Sequence, residues 1–410
     1  MANRPYPVIT VNEKAARSLR AGHPWVYGAE TSGPDRPCQK RRPGSDDGRP
    51  KRGRWLGTGL YNNHSKILVR LLSRNTNDRF DQGFWRRRLR YALDYRKTVM
   101  GPDYACCRLI FGEADQFPGL TVDRFGDILV TEVLSLGMEV RKDLLYPLLV
   151  DLLREDGVTV RAIYERSDAP LRDKEGLPKV TGFYPLPGLA TDLDGHLLLE
   201  ENGIRYDVDY IHGQKTGFFL DQKYNRRAAA ALAPGRKVLD CFTHTGAFAL
   251  NCAQAGAAQV TAVDISQEAV ALTQRNAALN GLEGKVEARQ ADVFDLLTQL
   301  AQAGGHPYDY IILDPPAFTK SGATVKNAFR GYKEINYKAM KLLPRGGYLA
   351  TCSCSHFMTP ALFCQMLREA AADAAVSLRQ IADRRQAPDH PILWGVPETE
   401  YLKFYLFQVI

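Results

Sequence analysis

The pattern of apolar and polar positions divides the chain into three regions. From residue 196 to residue 410, short apolar runs alternate with longer segments of helical spacing, which predicts a doubly wound α/β sheet. Residues 76–195 mix strand-like runs with a basic amphipathic helix over 84–100 and a second helix near 140–154, and predict a small α/β domain. Residues 1–75 have short strand-like runs separated by turn residues. We therefore expect a small β-rich domain, a central α/β domain and a larger α/β domain.

One segment interrupts the predicted β-rich domain. Residues 31–54 contain eight Lys and Arg, four Pro and four Gly, but no Val, Ile, Leu, Met, Phe or Tyr. Because this composition offers no apolar face to bury, we predict an irregular or disordered segment. It is either a flexible RNA-binding arm or an inserted or frameshifted stretch that replaces strands of the domain.

Positive charge is concentrated at the N-terminal end of the chain. Residues 1–100 contain 22 Lys and Arg against 8 Asp and Glu, whereas the remaining residues contain 32 against 38. Lys and Arg neutralise phosphates and release counterions, so this asymmetry favours a polyanion such as RNA as partner. A solvated basic face without a partner is the alternative.

The other bulk features are those of a globular protein from a reducing compartment. No apolar run is long enough to span a bilayer, and residues 1–10 lack the apolar core of a signal peptide. The eight cysteines show no pair of pairs at zinc spacing. We expect reduced thiols, no metal site, no membrane association and a cytoplasmic location.

The strongest functional signal is a strand, turn and helix over residues 237–250. The strand ends at Asp240, and Gly246 in the following turn allows the backbone to approach a ligand closely. The next strand ends at Asp264, where a carboxylate can accept hydrogen bonds from ribose hydroxyls. The turn lacks the further glycines of G-x-G-x-x-G, which argues against a pyrophosphate. An acid-lined pocket suits a ligand with a positive sulfonium, and a βαβ unit without a ligand is the alternative.

Two later strand ends extend this predicted pocket. Asp292 follows a third strand and is placed to hold an adenine amino group. A fourth strand ends at Asp314, and Pro315 and Pro316 then form a rigid loop with few N–H donors. Asp314 and the Pro315 carbonyl could grip the edge of a base, while Phe318 could stack on its face. A simple strand-terminating turn would explain the two prolines but not the ordered series of four acids.

Two cysteines follow the next predicted strand. Carbon 5 of cytosine is a poor nucleophile, and addition of a thiolate to carbon 6 makes it enamine-like. We predict Cys354 as that nucleophile. Cys352 lies on the same side of an extended chain, and buried packing is the alternative for either thiol.

Six motifs along nearly the whole chain carry a family resemblance. They are G-H-P-W-V at 22–26, G-L-T-V-D-R-F-G at 119–126, G-Q-K-T-G-F-F-L-D-Q at 213–222, D-P-P-A-F at 314–318, R-G-Y-K-E-I-N at 330–336 and S-C-S at 353–355. Together they resemble the RlmI-like class I rRNA large-subunit methyltransferases. That resemblance implies an N-terminal PUA domain, a small central α/β domain and a C-terminal Rossmann-like methyltransferase domain.

The resemblance also implies an activity and a set of site residues. The implied activity is cytosine-5 methylation of 23S rRNA, free or in a large-subunit precursor, with S-adenosylmethionine as methyl donor. Cys354 aligns with the catalytic cysteine, Asp314 is predicted as a second catalytic residue, and Pro315 and Phe318 are expected to hold the base. The implied cofactor contacts are Lys215, Phe219, Gln222, Asp240, Gly246, Asp264, Asp292 and Asp314.

Three departures from the family pattern leave other functions open. Residues 31–54 replace strand-forming sequence of the PUA domain, Ala317 stands where the family often has Lys, and Cys352 occupies a place that is often apolar. Methylation of guanine nitrogen 7 or another rRNA nitrogen would need base-edge contacts and stacking but no covalent step. The third hypothesis is a non-catalytic RNA-binding or ribosome-assembly factor, against which the intact series of acids argues.

Overall fold

The computed structural model describes residues 6–34, 55–319 and 321–410, which form two compact units. The first unit comprises the described residues up to Leu197, together with Asp209–Phe218 and Pro388–Thr399. The second comprises Leu198–Val208, Phe219–Ala387 and Glu400–Ile410. The division into three domains at residues 75 and 195 stays a prediction, and the boundary at residue 75 falls within the first unit.

The N-terminal part of the first unit contains short antiparallel strands and one helix. The elements are β1 (Ile9–Val11), α1 (Glu13–Arg20), β2 (Trp25–Tyr27), β3 (Thr31–Pro34), β4 (Thr58–Tyr61) and β5 (Ile67–Ser73). One sheet has the order β2-β5-β4, and β1 pairs with β3. Asn12 caps α1 because its side chain accepts a hydrogen bond of 3.0 Å from the Ala15 backbone N–H.

Strand β3 shows that the prediction for residues 31–54 was wrong over its first four residues. Thr31–Pro34 pairs antiparallel with Ile9–Val11. Backbone N–H and C=O groups make this pairing, so β3 needs no apolar side chains of its own. Ile9 and Val11 supply the buried face instead. The remainder of the segment, residues 35–54, lies outside the described residues.

The central part of the first unit is a five-stranded sheet with helices. Its elements are α2 (Gln82–Met100), β6 (Cys106–Phe111), β7 (Leu120–Phe125), β8 (Ile128–Val133), α3 (Leu136–Glu139), α4 (Lys142–Glu155), β9 (Ala162–Ser167), α5 (Leu171–Lys174) and β10 (Val180–Phe183). The sheet order is β10-β9-β8-β7-β6, with only β8 and β9 parallel. The basic amphipathic segment at 84–100 is indeed helical and forms α2.

A buried ion pair joins the N-terminal and central parts of the first unit. Arg70 Nη2 lies 2.7 Å from Glu175 Oε1, and both side chains are less than a tenth exposed. The Asn62 amide and the Ser65 hydroxyl also donate hydrogen bonds to the Glu175 carboxylate. Each charge therefore has partners that offset the cost of removing it from water.

The second unit is built on a seven-stranded sheet of Rossmann-like type, which confirms the predicted fold class. Its order is β15-β14-β13-β16-β17-β19-β18; the first five strands are parallel to one another, and β19 is antiparallel to both of its neighbours, β17 and β18. Most of the β11–β12 hairpin also belongs to this unit. The elements are β11 (His196–Glu201), β12 (Ile204–Asp209), α6 (Lys223–Ala230), β13 (Lys237–Cys241), α7 (Ala247–Gln254), β14 (Gln259–Asp264), α8 (Gln267–Leu279), β15 (Val286–Gln290), α9 (Val293–Ala303), β16 (Tyr310–Leu313), α10 (Val325–Leu342), β17 (Tyr348–Ser353), α11 (Pro360–Asp373), β18 (Leu378–Arg384) and β19 (Lys403–Val409).

The order of this sheet fixes where a ligand can bind. Strand β13 lies between β14 and β16, so the chain turns to opposite sides of β13 at this point. In open α/β sheets, ligands bind beyond the carboxyl ends of the strands at such a switch point. Among the described residues, no helix combines the length and the apolar character required to cross a membrane.

Candidate active site

The loop between β13 and α7 has a backbone conformation that non-glycine residues rarely adopt. Phe242 has φ +65°, His244 has φ +52° and Gly246 has φ +78°. A Cβ atom at Gly246 would lie 2.7 Å from a methyl carbon of Thr273, so only glycine fits there. Left-handed non-glycine residues cost about 1–3 kcal/mol each and cluster at ligand sites. The loop therefore combines local strain with a close approach of backbone to helix α8.

Asp240 lies beneath this loop and is almost fully buried. Its Oδ2 accepts hydrogen bonds from Thr243 Oγ1 at 2.6 Å and from the Ala249 N–H at 3.0 Å. Its Oδ1 has no hydrogen-bond partner within the described residues. Burial above all, together with the negative charges of Asp314 and Asp264, raises the pKa of Asp240 to about 7. The carboxyl groups of Asp240, Asp264 and Asp314 are neighbours, and one oxygen of Asp240 has no hydrogen-bond partner among the described residues. This arrangement fits a positively charged ligand such as S-adenosylmethionine, which carries a sulfonium and an ammonium group.

Asp264 ends β14 and faces the same loop. Its Oδ2 accepts a hydrogen bond from the His244 N–H, and its Oδ1 accepts one from the Ser266 N–H, each at 3.0 Å. A carboxylate offers about four lone-pair positions, so acceptor capacity remains for ribose hydroxyls. Ser266 also caps α8, as its position before the helix predicts.

Asp292 has a structural role, and its predicted contact with adenine stays a prediction. Its Oδ1 caps α9 by accepting hydrogen bonds from the Phe294 N–H at 2.7 Å and the Asp295 N–H at 3.3 Å. The Ala291 N–H donates to the Asp264 carbonyl, which keeps this helix start beside the second strand end. Both bonds use Oδ1, so Oδ2 is the atom that could accept a hydrogen bond from an adenine amino group.

The structure brings Phe219 and Gln222 to these acids. Gln222 Nε2 lies 3.1 Å from each carboxylate oxygen of Asp314. The Asn225 amide donates to Gln222 Oε1 at 2.7 Å, which fixes the orientation of the glutamine. The ring of Phe219 meets the ring of His244 edge-on, with 4.9 Å between centroids.

Lys215 belongs to the first unit, unlike the other predicted cofactor contacts. Its side chain is exposed, and its φ is +51°. The next residue, Thr216, is buried and donates a hydrogen bond of 2.6 Å to Asp123 Oδ2. Asp123 is itself paired with Arg108, whose Nε lies 2.7 Å from Asp123 Oδ1. The G-L-T-V-D-R-F-G motif therefore anchors the segment that carries Lys215.

The Asp-Pro-Pro loop is packed more tightly than the sequence suggests. Pro315 is buried, and Phe318 is half-buried. The Phe318 ring contacts Tyr332 at a centroid distance of 4.5 Å and Phe294 at 5.9 Å. Part of the Phe318 surface is thus used in packing, and base stacking by Phe318 stays a prediction.

Hydrogen bonds on the two sides of Cys354 tie the Ser-Cys-Ser turn to helix α10 and to the end of this loop. The Ser353 hydroxyl donates to Tyr332 Oη at 3.1 Å, and the Ser355 hydroxyl donates to the Thr319 carbonyl at 2.8 Å. Cys354 itself is half-buried, whereas Cys352 is fully buried in β17. Burial, and secondarily the charge of Asp314, raises the pKa of the Cys352 thiol well above its ordinary value. The geometry therefore favours Cys354 over Cys352 as the reactive thiol.

Three residues near the turn were missed at the level of sequence. Tyr332 lies within the R-G-Y-K-E-I-N motif, which marks its region but not its contact with the turn. Thr319 follows D-P-P-A-F directly. Lys403 carries no motif signal, because it reaches the turn only through the antiparallel pairing of β19 with β17.

Comparison with known proteins identifies the two principal parts of the chain. A sequence profile described as S-adenosylmethionine-dependent methyltransferase matches residues 191–408. A second profile, described as PUA-like domain, matches residues 9–74. The predicted cofactor and the predicted PUA-like domain are thereby confirmed.

Two solved structures share the fold along nearly the whole chain. A putative SAM-dependent methyltransferase from Streptococcus mutans has a TM-score of 0.81 at 21% identity, covering 98% of this chain and 100% of its own. A putative methyltransferase complexed with SAH has a TM-score of 0.82 at 20% identity, with the same coverage. At these identities the likeness concerns the fold.

Curated relatives are similar over the full length. A protein of Shewanella denitrificans is 40% identical over 393 residues, covering 94% of this chain and 95% of the relative. A protein of Klebsiella pneumoniae is 37% identical over 414 residues, covering 100% of both chains. Both are named ribosomal RNA large subunit methyltransferase I. The chain therefore belongs to the S-adenosylmethionine-dependent methyltransferase family that includes these enzymes.

Proposed function

We propose that this protein methylates carbon 5 of a cytosine in 23S rRNA, free or in a large-subunit precursor, with Cys354 as covalent nucleophile. The observation that carries the proposal is the half-buried Cys354 thiol in a turn tied to the loop after Asp314. The names of the full-length relatives support rRNA as the substrate class.

The covalent step follows from the chemistry of cytosine. The Cys354 thiolate adds to carbon 6, and the electron pair of the ring double bond moves to carbon 5, which becomes nucleophilic. S-adenosylmethionine, when bound, supplies an electrophilic methyl group on a sulfonium. After carbon 5 has taken the methyl group, its proton passes to a base. The thiolate then leaves carbon 6 with its electron pair, which restores both the ring and the free cysteine.

The other predicted site residues take roles that follow from their donors and acceptors. Asp314, oriented by Gln222, would accept a hydrogen bond from the cytosine amino group. The Pro315 carbonyl and the Phe318 ring would contact the base. The cofactor would be held by the Asp264 carboxylate at the ribose, Asp292 at the adenine and Asp240 near the positive charge. Lys215, Phe219 and the close backbone approach at Gly246 complete the proposed contacts.

RNA docking and location extend the proposal. The PUA-like domain lies in the part of the chain with the positive charge surplus, so we assign it the main phosphate contacts. A protein that modifies rRNA acts where rRNA is made and assembled, and we accordingly propose a cytoplasmic location.

The matched pair Cys354→Ala and Cys352→Ala tests the covalent mechanism. We expect Cys354→Ala to lose about three orders of magnitude or more in methyl transfer to rRNA, on the scale seen when a nucleophile is removed. Its affinity for S-adenosylmethionine, measured by calorimetry, should be unchanged. Cys352→Ala should retain activity, because that thiol is buried in the strand.

The identity of the product provides a second readout. Mass spectrometry of nucleosides should detect 5-methylcytidine in rRNA treated with the wild-type enzyme. Full activity of Cys354→Ala would overturn the covalent mechanism. A methylated guanosine as product would overturn the choice of base and support methylation at nitrogen. Absence of transfer to any rRNA would favour the binding-factor hypothesis.

A further inference from the structure

Lys403 reaches the Ser-Cys-Ser turn from the neighbouring strand. It is the first residue of β19 and pairs with Ser353 of β17. Its side chain is almost completely buried. Its Nζ donates hydrogen bonds to the Ser355 carbonyl at 2.6 Å and to the Tyr401 carbonyl at 2.7 Å. The ammonium group is therefore held at the carbonyl of the residue that follows Cys354.

The two hydrogen-bond partners of Lys403 are neutral carbonyl oxygens. Among the described residues this lysine forms no ion pair, although it is buried away from water. A buried cation without a carboxylate is costly, and proteins normally pair it or let it lose its proton. In agreement, burial lowers the pKa of Lys403 to about 8. The neighbour that most opposes this lowering is Cys354, whose negative charge would stabilise the ammonium.

The other charged neighbours of Lys403 largely offset each other. Arg385 lowers its pKa and Glu400 raises it. Arg385 Nε and Glu400 Oε1 lie 2.8 Å apart and form an ion pair with each other. Cys354 is therefore the neighbour whose ionisation would change the charge balance around Lys403.

The groups that face Cys354 from the other packed elements do not favour a thiolate. From helix α10, the hydroxyl of Tyr332 is buried, and burial raises its pKa far above neutrality, so it carries no charge. The negative charges of Cys354 and Asp314 raise that tyrosine pKa further. Cys352 on β17 stays a neutral thiol. Asp314 adds negative charge, which opposes a second anion nearby.

We propose that Lys403 is a positioning residue that acts as counter-ion of the Cys354 thiolate and, through the Ser355 carbonyl, holds the Ser-Cys-Ser turn in place. This inference rests on the proposed function of Cys354. When the thiol ionises, its proton passes to solvent, and the thiolate that remains is stabilised by the Lys403 ammonium. A cation beside a cysteine stabilises the thiolate, which is the reactive form.

Alkylation of Cys354 tests this inference without using methyl transfer. The rate of carbamidomethylation of Cys354 by iodoacetamide is measured from pH 5 to pH 10 in the full-length protein, with peptide mass spectrometry to assign the site. We expect Lys403→Met to raise the midpoint of the profile by about one pH unit or more, which reduces alkylation near neutral pH about tenfold. Lys403→Arg keeps the charge and should retain most of the wild-type profile. Lys341→Met, at an exposed position on α10, is the matched control and should not change it.

Steady-state kinetics separate an electrostatic role from a structural one. In Lys403→Met we expect a reduced kcat that recovers towards alkaline pH as more of Cys354 ionises, with little change in KM for S-adenosylmethionine. An alkylation profile identical to that of the wild type would overturn the inference. An equal shift of the profile in Lys403→Met and Lys403→Arg would also overturn the inference, because the effect would then arise from altered packing and not from lost charge.

The proposed function and this inference fail in different ways. If Cys354→Ala remained active, the covalent mechanism would be wrong, whatever the alkylation profile of Lys403→Met. If Cys354→Ala were inactive and Lys403→Met had the wild-type alkylation profile, the cysteine would be the nucleophile but Lys403 would not be its counter-ion.

Discussion

The buried carboxyl of Asp240 allows a quantitative test of the electrostatics of the candidate site. Its pKa is raised from the ordinary value of 3.8 to about 7, chiefly by burial. The substitution Asp240→Asn keeps the size of the side chain and removes its titration. A shift of one pKa unit corresponds to about 1.4 kcal/mol, so the raised pKa of Asp240 changes the unfolding free energy by up to about 4 kcal/mol.

The direction of the pH dependence follows from where the proton is bound. The unfolded chain releases the proton of Asp240 near pH 4, whereas the folded protein retains it up to about pH 7. The folded state thus binds more protons in this window, so this group makes the wild-type protein less stable as pH rises from about 4 to about 7. The Asn variant lacks this loss. Its unfolding free energy relative to the wild type should increase by up to about 4 kcal/mol across the window and then level off.

The distribution of tryptophan allows the two units to be followed separately. All four tryptophans, Trp25, Trp55, Trp85 and Trp394, lie in the first unit. In urea titrations of the cofactor-free protein, fluorescence therefore reports the first unit, while far-ultraviolet circular dichroism reports both. Asp240 lies in the second unit. We therefore expect Asp240→Asn to shift the urea midpoint of the dichroism transition of that unit and to leave the fluorescence midpoint unchanged.

A matched variant gives the reference for this comparison. Asp295→Asn changes an exposed carboxylate on α9 of the same unit and should leave the pH dependence near that of the wild type. If the stability difference between Asp240→Asn and the wild type were constant from pH 4 to pH 8, the reasoning about a buried, protonated Asp240 would be refuted.

Two further substitutions, one in each unit, test a steric contact and a buried ion pair. Gly246→Ala should lower the unfolding free energy of the second unit by about 2–3 kcal/mol and weaken S-adenosylmethionine binding in calorimetry, because it combines a left-handed φ of +78° with a contact of 2.7 Å. Gly281→Ala has a similar φ of +65° but open space around the new Cβ, so it should cost about 1 kcal/mol; equal losses at the two sites would contradict the steric argument. Glu175→Gln leaves the buried Arg70 without its counter-charge and should destabilise the first unit by about 3 kcal/mol, as measured by tryptophan fluorescence in urea. The exposed pair of Lys179 and Asp173 is the control, since Asp173→Asn should change that stability by less than about 1 kcal/mol.

The elements of the second unit could be predicted because their signals are local. The apolar runs that end at Asp240 and Asp264 are strands, and Ser266 caps the helix that follows. In a parallel sheet the carboxyl ends of neighbouring strands lie at one edge, so the order of strands and acids along the chain already implied a common pocket.

The first unit was harder to predict because backbone pairing and long-range ion pairs leave little trace in a local pattern. Strand β3 has no Val, Ile, Leu or aromatic side chain and exists because β1 provides backbone partners and a buried face. The pair of Arg70 and Glu175 joins residues that are 105 positions apart in the sequence. No window of neighbouring residues contains that contact.

By itself, the sequence determined the doubly wound sheet, the small β-rich region, the cofactor class and the series of acids, since strand periodicity and strand-end residues are properties of short segments. The PUA-like domain followed from motifs that resemble a known family. Only the tertiary structure decided the state of the groups in the site. Burial among neighbouring acids raises the pKa of Asp240, packing against Tyr332 covers part of Phe318, and the pairing of β19 with β17 brings Lys403 beside the turn of Cys354. Each of these depends on which side chains meet across the fold, because desolvation and charge act through space rather than along the chain.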